Sequence, residues 1–231
     1  MQTRVQFEDL GVRDYKEAWD YQEKLFSCIL NQKRTNKESE SKPLNYLLFC
    51  EHPHVFTLGK SGHESNFLIQ DAVLKKLNAT YYKINRGGDI TYHGPGQIVG
   101  YPILDLDQFN IQVKRYVYLL EEAIIATLKH YGLQGSRLDK ATGVWLDIDN
   151  PEKTRKICAI GVRASHFVTM HGFAFNVNTD LKYFNYINPC GYTDKGVTSM
   201  EKELGSKMDL REVKKTLKSN IKTIFEMKLV E

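Results

Sequence analysis

No stretch of this 231-residue sequence approaches the run of about 18 apolar residues that a membrane span requires. The opening MQTRVQFEDLG has no apolar run behind its charges, so it does not read as a secretory leader, and a cytoplasmic protein is expected. There is no G-x-x-x-x-G-K-[ST] and no G-x-G-x-x-G, so nothing announces a nucleoside triphosphate or a dinucleotide. The four cysteines, Cys28, Cys50, Cys158 and Cys190, form neither a C-x-x-C pair nor a zinc spacing, and free thiols are expected in a reducing compartment. Excess charge is small. A balance of 32 basic against 28 acidic residues leaves +4, too little to argue for nucleic acid, though an acidic protein partner would suit it. No internal repeat is visible.

What is present is an ordinary globular composition, 42% hydrophobic and 26% charged, of a length that suits one domain over 1–231. Asp14–Gln32 carries a helical stripe through Tyr15, Ala18, Trp19, Leu25, Phe26 and Ile29, with Asp14 placed to cap it and Gln22 as a gap. LNYLLFCEH and HVFTLG predict strands around a turn at Pro53, and QDAVLKKL a short helix. YYKIN, DITYH and QIVGYPILDL predict three more strands. Val113–Gly132 is the strongest helix, stopped by Gly132. GVWLDI, KICAIGVRAS and FVTMHGFAFNVN follow as strands, INPCGYTDKGV as a loop, and a lysine-rich amphipathic helix comes last. Helix, strands, helix, strands, helix argues for an α+β architecture with mixed, largely antiparallel sheets flanked by helices.

Arg86–Tyr101, RGGDITYHGPGQIVGY, concentrates glycine beside polar residues. A glycine-rich hairpin would account for it as turns alone. The functional reading is that Gly87 and Gly88 let main chain run against a ligand, with Arg86 and His93 supplying polar ends. In an extended segment Thr91 and His93 share one face and Tyr92 takes the other. Cys190 in NPCGY lies on a polar loop between a stiffening Pro189 and a permissive Gly191. Cys28, Cys50 and Cys158 lie in helical or strand-like runs and read as small buried hydrophobes. Lys156 opens an apolar strand and would be ordinary there, except that a nearby cation lowers a thiol's pKa. His52 and His54 flank Pro53 without a third ligand, so no metal site is expected. His171 reads as structural, although Gly172 beside it hints at close approach.

Taken together, RGGDITYHGPGQIVGY, EHPHVFTLGK, KICAIGVR, HGFAFNVNTDL and INPCGY resemble, in that order, the motifs of the lipoate-pathway octanoyltransferases. The resemblance spans roughly residues 45–195. It implies the α/β catalytic fold shared with lipoate and biotin ligases. It implies transfer of an octanoyl group from acyl carrier protein to a lysine of a lipoyl domain, in 2-oxoacid dehydrogenases and the glycine-cleavage H protein. By position, Cys190 matches the acyl-thioester cysteine and Lys156 the lysine that activates it. The matching acyl pocket comprises Arg86, Gly87, Gly88, Asp89, Ile90, Thr91, Tyr92 and His93, then Ala159, Ile160 and Gly161, then Gly172, Phe173 and Ala174. No cofactor, metal, nucleic acid or membrane is implied, and a monomer is expected. A thioester donor is already activated, which agrees with the missing nucleotide motif. The competing expectations are an ATP-dependent lipoate–protein ligase and a non-catalytic acyl-binding module on the same fold.

Overall fold

Asp14 begins the first helix as its sequence predicts: its carboxylate accepts from Lys16 N at 2.8 Å, satisfying an end N–H that the helix cannot. The computed structural model describes residues 2–35, 43–188 and 195–231. The helix, α1, runs Tyr15–Thr35 and buries Tyr15, Ala18, Gln22, Leu25, Phe26 and Ile29. The polar gap at Gln22 is therefore part of the buried face. Cys28 lies on the opposite side and is exposed, against the expectation of a buried hydrophobe.

Among the described residues a nine-stranded sheet has the order β12-β1-β2-β6-β10-β9-β8-β7, with β11 also pairing β9. Its strands are β1 (Arg4–Val12), β2 (Asn45–Glu51), β6 (Gln97–Ile103), β7 (Ser136–Leu138), β8 (Ala141–Leu146), β9 (Arg155–Ser165), β10 (Val168–Asn176), β11 (Gly196–Val197) and β12 (Lys228–Val230). β1 lies parallel to β2 and to β12, whereas β2, β6, β10, β9, β8 and β7 run antiparallel to one another in turn. β6 and β10 sit at the centre with every residue buried, which is why both read as near-continuous apolar runs. A three-stranded sheet, β4 (Thr80–Lys83), β3 (Val55–Leu58) and β5 (Ile90–His93), stands apart. β2 and β3 are thus not a hairpin: the chain changes sheets at Pro53.

Besides the short helices α2 (Asp71–Lys76) and α4 (Met200–Leu204), the chain forms α3 (Val113–His130) and α5 (Leu210–Ile224), and the main core packs β2, β6, β8, β9 and β10 against α3 and α5 through residues such as Phe49, Ile98, Tyr116, Leu120, Phe175 and Leu217. Gly132 follows α3 with φ +79°, the left-handed stop expected of it. A second cluster holds α1 to the sheet through Phe26, Ile29, Leu48, Val99 and Met170. The small sheet has its own cluster of Phe56, Leu58, Ile90, Tyr92 and Ile187. The sequence pattern predicted neither β1 nor β12. β1 buries only Val5 and carries Glu8 and Asp9, so it forms because β2 and β12 offer it ladder partners, not because of its own pattern.

Candidate active site

The turn Arg86–Asp89, between β4 and β5, is pinned onto β9 by a bond from Gly87 N to Val162 O of 2.9 Å. The glycines are needed for backbone to approach backbone. A Cβ at Gly161 would lie 2.8 Å from Gly87 O, and one at Gly59 would run into Gly88 O. Gly88 also has φ +86°, in the left-handed region. Arg86 is turned inward, 8% exposed. It donates to Thr57 O at 2.7 Å and to Gly87 O at 3.0 Å, so its guanidinium locks β3 to the turn.

Between this turn and strands β9 and β10 lies a cavity of about 390 Å³. Its wall takes in Arg86–Thr91 and His93, Ala159–Gly161, Gly172–Ala174 and Lys156. Tyr92 is not part of this wall. It joins the small-sheet cluster, stacking on Tyr183 at 4.7 Å and donating its hydroxyl to His54 Nδ1 at 2.7 Å, or accepting from it. Tyr15, Gln97, His171, Lys140, Thr142 and Phe184 also line the cavity.

One end of the cavity is buried and polar. His93 Nδ1 lies 2.8 Å from Gln97 Oε1; the Gln97 amide N donates to Asn176 Oδ1 at 2.9 Å, so its oxygen must face the histidine, which therefore carries its proton on Nδ1. His52 lies 2.8 Å from the Tyr101 hydroxyl and 2.8 Å from Arg13 O. Burial pushes His93 and His171 down to about 3 and His52 to about 4, so all three are neutral at physiological pH. Burial likewise raises the thiols of Cys50 and Cys158, which makes both poor nucleophiles.

The other end is cationic. Lys156 sits at the start of β9 with its Nζ 4.5 Å from the centre of the Trp145 ring, a contact that favours the ammonium. Trp145 is fully buried, and its indole N–H donates to Ala141 O at 2.9 Å. β11 runs parallel beside this point with Val197 opposite Lys156, and Thr198 N donates to Lys156 O at 2.9 Å. Arg155 grips Glu203 with two bonds of 2.6 and 2.5 Å, bracing the same junction and holding the Glu203 carboxyl below its usual range.

The description of the lipoyl protein ligase A/B catalytic domain matches residues 14–222. The chain belongs to this family. The octanoyltransferase of Christiangramia forsetii is 56% identical over 232 residues, covering 99% of each chain, and that of Flavobacterium johnsoniae 54% over 233 residues, covering all of both. Among solved structures, a putative lipoate protein ligase from T. acidophilum with bound lipoic acid superposes with a TM-score of 0.66 at 14% identity, over 100% of this chain and 89% of that one. A lipoate-protein ligase A bound with ATP gives 0.66 at 15% identity, over 100% and 88%. At those identities the two structures establish the fold alone: mixed, largely antiparallel sheets with flanking helices.

Within this ligase A/B fold, the residues expected from the sequence therefore gather around one cavity, with Tyr92 outside it. Cys190 lies outside the described residues. The described residues on either side are anchored at the cavity. Asn188 N donates to Asn66 O at 2.8 Å, and the Asn66 side chain donates to Asp89 at 2.5 Å, while Gly196 and Val197 pair with Arg155 and Lys156. Sequence reasoning missed Tyr15, which looked like any other residue of a helical stripe, and Lys140 and Thr142, which only the β7–β8 turn brings to the wall.

Proposed function

We propose that this chain transfers an octanoyl group from octanoyl-acyl carrier protein to the Nζ of a lipoyl-domain lysine by way of a thioester on Cys190. The Cys190 thiolate attacks the acyl carbonyl carbon; the C–Sγ bond forms, the bond to the phosphopantetheine sulfur breaks, and that sulfur leaves as a thiolate and takes up a proton. The acceptor amine then attacks the same carbon. The amide C–N bond forms, the C–Sγ bond breaks, and the proton lost by nitrogen returns to sulfur. Thioester for thioester is near balance, and amide formation pulls the sequence forward. Two half-reactions through one covalent intermediate give ping-pong kinetics.

The observation that carries this reading is that Lys156, Arg86–Thr91 and His93 line one cavity whose wall also brings in Val99, Ala159, Gly161, Gly172, Phe173 and Ala174. Lys156 supplies the cation that lowers the pKa of a neighbouring thiol and a group that can shuttle its proton. Octanoyltransferases at 54–56% identity over the whole length support the acyl group. The partners in this reading are acyl carrier protein and the lipoyl domains of 2-oxoacid dehydrogenases and glycine-cleavage H protein; it needs no nucleotide.

Intact-mass measurement after mixing with octanoyl-acyl carrier protein, without ATP or magnesium, tests it. One octanoyl increment is expected on the wild type and none on Cys190→Ala. An increment that requires ATP would favour ligase chemistry, and no increment under either condition would favour a binding module.

A further inference from the structure

Glu121 is a carboxylate where an amphipathic helix has no use for one. α3 buries it together with Leu120, Ala123 and Ile124, and it is 7% exposed. A buried carboxylate is tolerated when its oxygens are paired. Both oxygens of Glu121 are, and each faces a different element. Oε2 accepts from Arg137 Nε at 3.0 Å, and Arg137 also donates to Glu122 and to Tyr118 O. Oε1 accepts from the backbone N–H of Gly143 on β8, again at 3.0 Å.

Gly143 stands beside an irregularity in the sheet. Val144 lies opposite Cys158 and Trp145 opposite Lys156, so β9 carries one extra residue, Ile157, at this point. Gly143 has φ +122°, a backbone angle that suits glycine. A Cβ there would lie 2.5 Å from Cys158 O, and 3.5 and 3.6 Å from Cε and Cδ of Lys156. The lysine stem thus passes over the bare face of Gly143. The same short segment holds the ring that the ammonium meets. The Trp145 indole N–H donates to Ala141 O at 2.9 Å, and Lys156 Nζ lies 4.5 Å from the centre of the Trp145 ring.

We infer that Glu121 is a positioning residue for Lys156, acting through the N–H of Gly143. One carboxylate oxygen fixes the segment Ala141–Gly143, and that segment carries both the surface under the lysine stem and the carbonyl that orients the Trp145 ring. Ala141 and Thr142 line the cavity beside Lys156, so the bond from α3 sets the shape of the cationic end. Without Oε1 the Gly143 N–H is a buried donor with no acceptor, and the segment moves to find one. The stem and the ring then lose their common support.

The inference takes from the acyl-transfer reading only what Lys156 does there, and its first test requires no turnover. In protein labelled with 13C-lysine, the ε-CH2 signal of Lys156 is identified by its absence from Lys156→Met. In the wild type it should stand upfield of the other lysines, shifted by the ring current of Trp145. Glu121→Leu removes the acceptor and should return the signal to the ordinary lysine position. Glu121→Gln keeps an oxygen for Gly143 N–H and should keep the shift. Glu121→Asp keeps the charge but draws the acceptor back by one methylene; it should lose the shift, and it serves in place of the leucine variant should that fail to fold. Single-turnover acylation by octanoyl-acyl carrier protein should slow by up to about 10²-fold in the variants that lose the shift. A merely structural glutamate would lower stability and leave the lysine signal where it is. An unshifted wild-type signal, a shift retained in both the leucine and aspartate variants, or a shift lost as fully in the glutamine variant would overturn the inference. Signals that move as expected in a protein that takes up no octanoyl group would instead remove the transfer reading and leave the placement of Lys156 by Glu121 standing.

Discussion

At one end of the cavity stand His93 and His171, buried and uncharged; at the other stands Lys156, its ammonium over the face of Trp145. Each arrangement uses its surroundings to hold one protonation state. At the histidine end, burial and the nearby Arg86 disfavour a second positive charge. At the lysine end the face of the Trp145 ring supplies negative potential to the cation. The proposed transfer calls for a hydrocarbon slot and a separate place to ionise a thiol, and strand β9 runs between these two environments.

The largest effect that would break this comparison lies at the cationic end. Lys156→Met keeps the length and removes the charge; the transfer rate should drop about 10²–10⁴-fold, as for loss of a group that moves protons. Steady-state kinetics with octanoyl-acyl carrier protein checks it, and a rate within tenfold of wild type would remove Lys156 from the chemistry. Next comes the wall between the ends. Arg86→Met strands Thr57 O in a buried setting and should lower stability by about 2–4 kcal/mol, read by urea denaturation.

The histidine end is sharpened by pH. The folded values of His52, His93 and His171 lie below the ordinary 6.5, so between pH 6.5 and about 3–4 the unfolded chain binds more protons than the folded one. Stability should therefore fall as pH falls through that window, by about 1.4 kcal/mol per pH unit for each histidine. Denaturation midpoints at pH 7.5, 6.5 and 5.5 measure the slope, and His52→Gln should flatten it by about one third. The smallest effect belongs to Trp145→Phe. A weaker aromatic face should cost Lys156 about 0.5–1 kcal/mol of ammonium stabilisation and move the alkaline limb of the pH–rate profile to lower pH, with the fold retained.

The two ends also differ in how far the sequence discloses them. Lys156, the Arg86–His93 wall, Ala159–Gly161 and Gly172–Ala174 stand in short motifs, and the structure gathers them around one cavity with Tyr92 outside it. Tyr15 and Gln22 were not legible as site residues, because their roles exist only once α1 lies across β10. Gln22 looked like a flaw in an apolar stripe, whereas its side-chain oxygen accepts from the His171 N–H of β10. The inner strands and the long helices were readable from period and composition. β1 and β12 were not, since segments that bury little surface of their own owe their form to neighbours distant in the chain.

β12 forms the edge of the large sheet and β1 lies just inside it. Thr3 O accepts from Lys228 N at 2.8 Å, and β1 runs beside β12 in parallel register. A gene rearranged so that a crossover of about a dozen residues joins these parallel neighbours, with new termini opened in the turn between β8 and β9, would leave every strand beside its present partner. What would change is the order of closure: the β1–β12 pairing, now among the most distant in the sequence, would become local, and the refolding rate of such a permutant against the parent would report whether that union limits assembly.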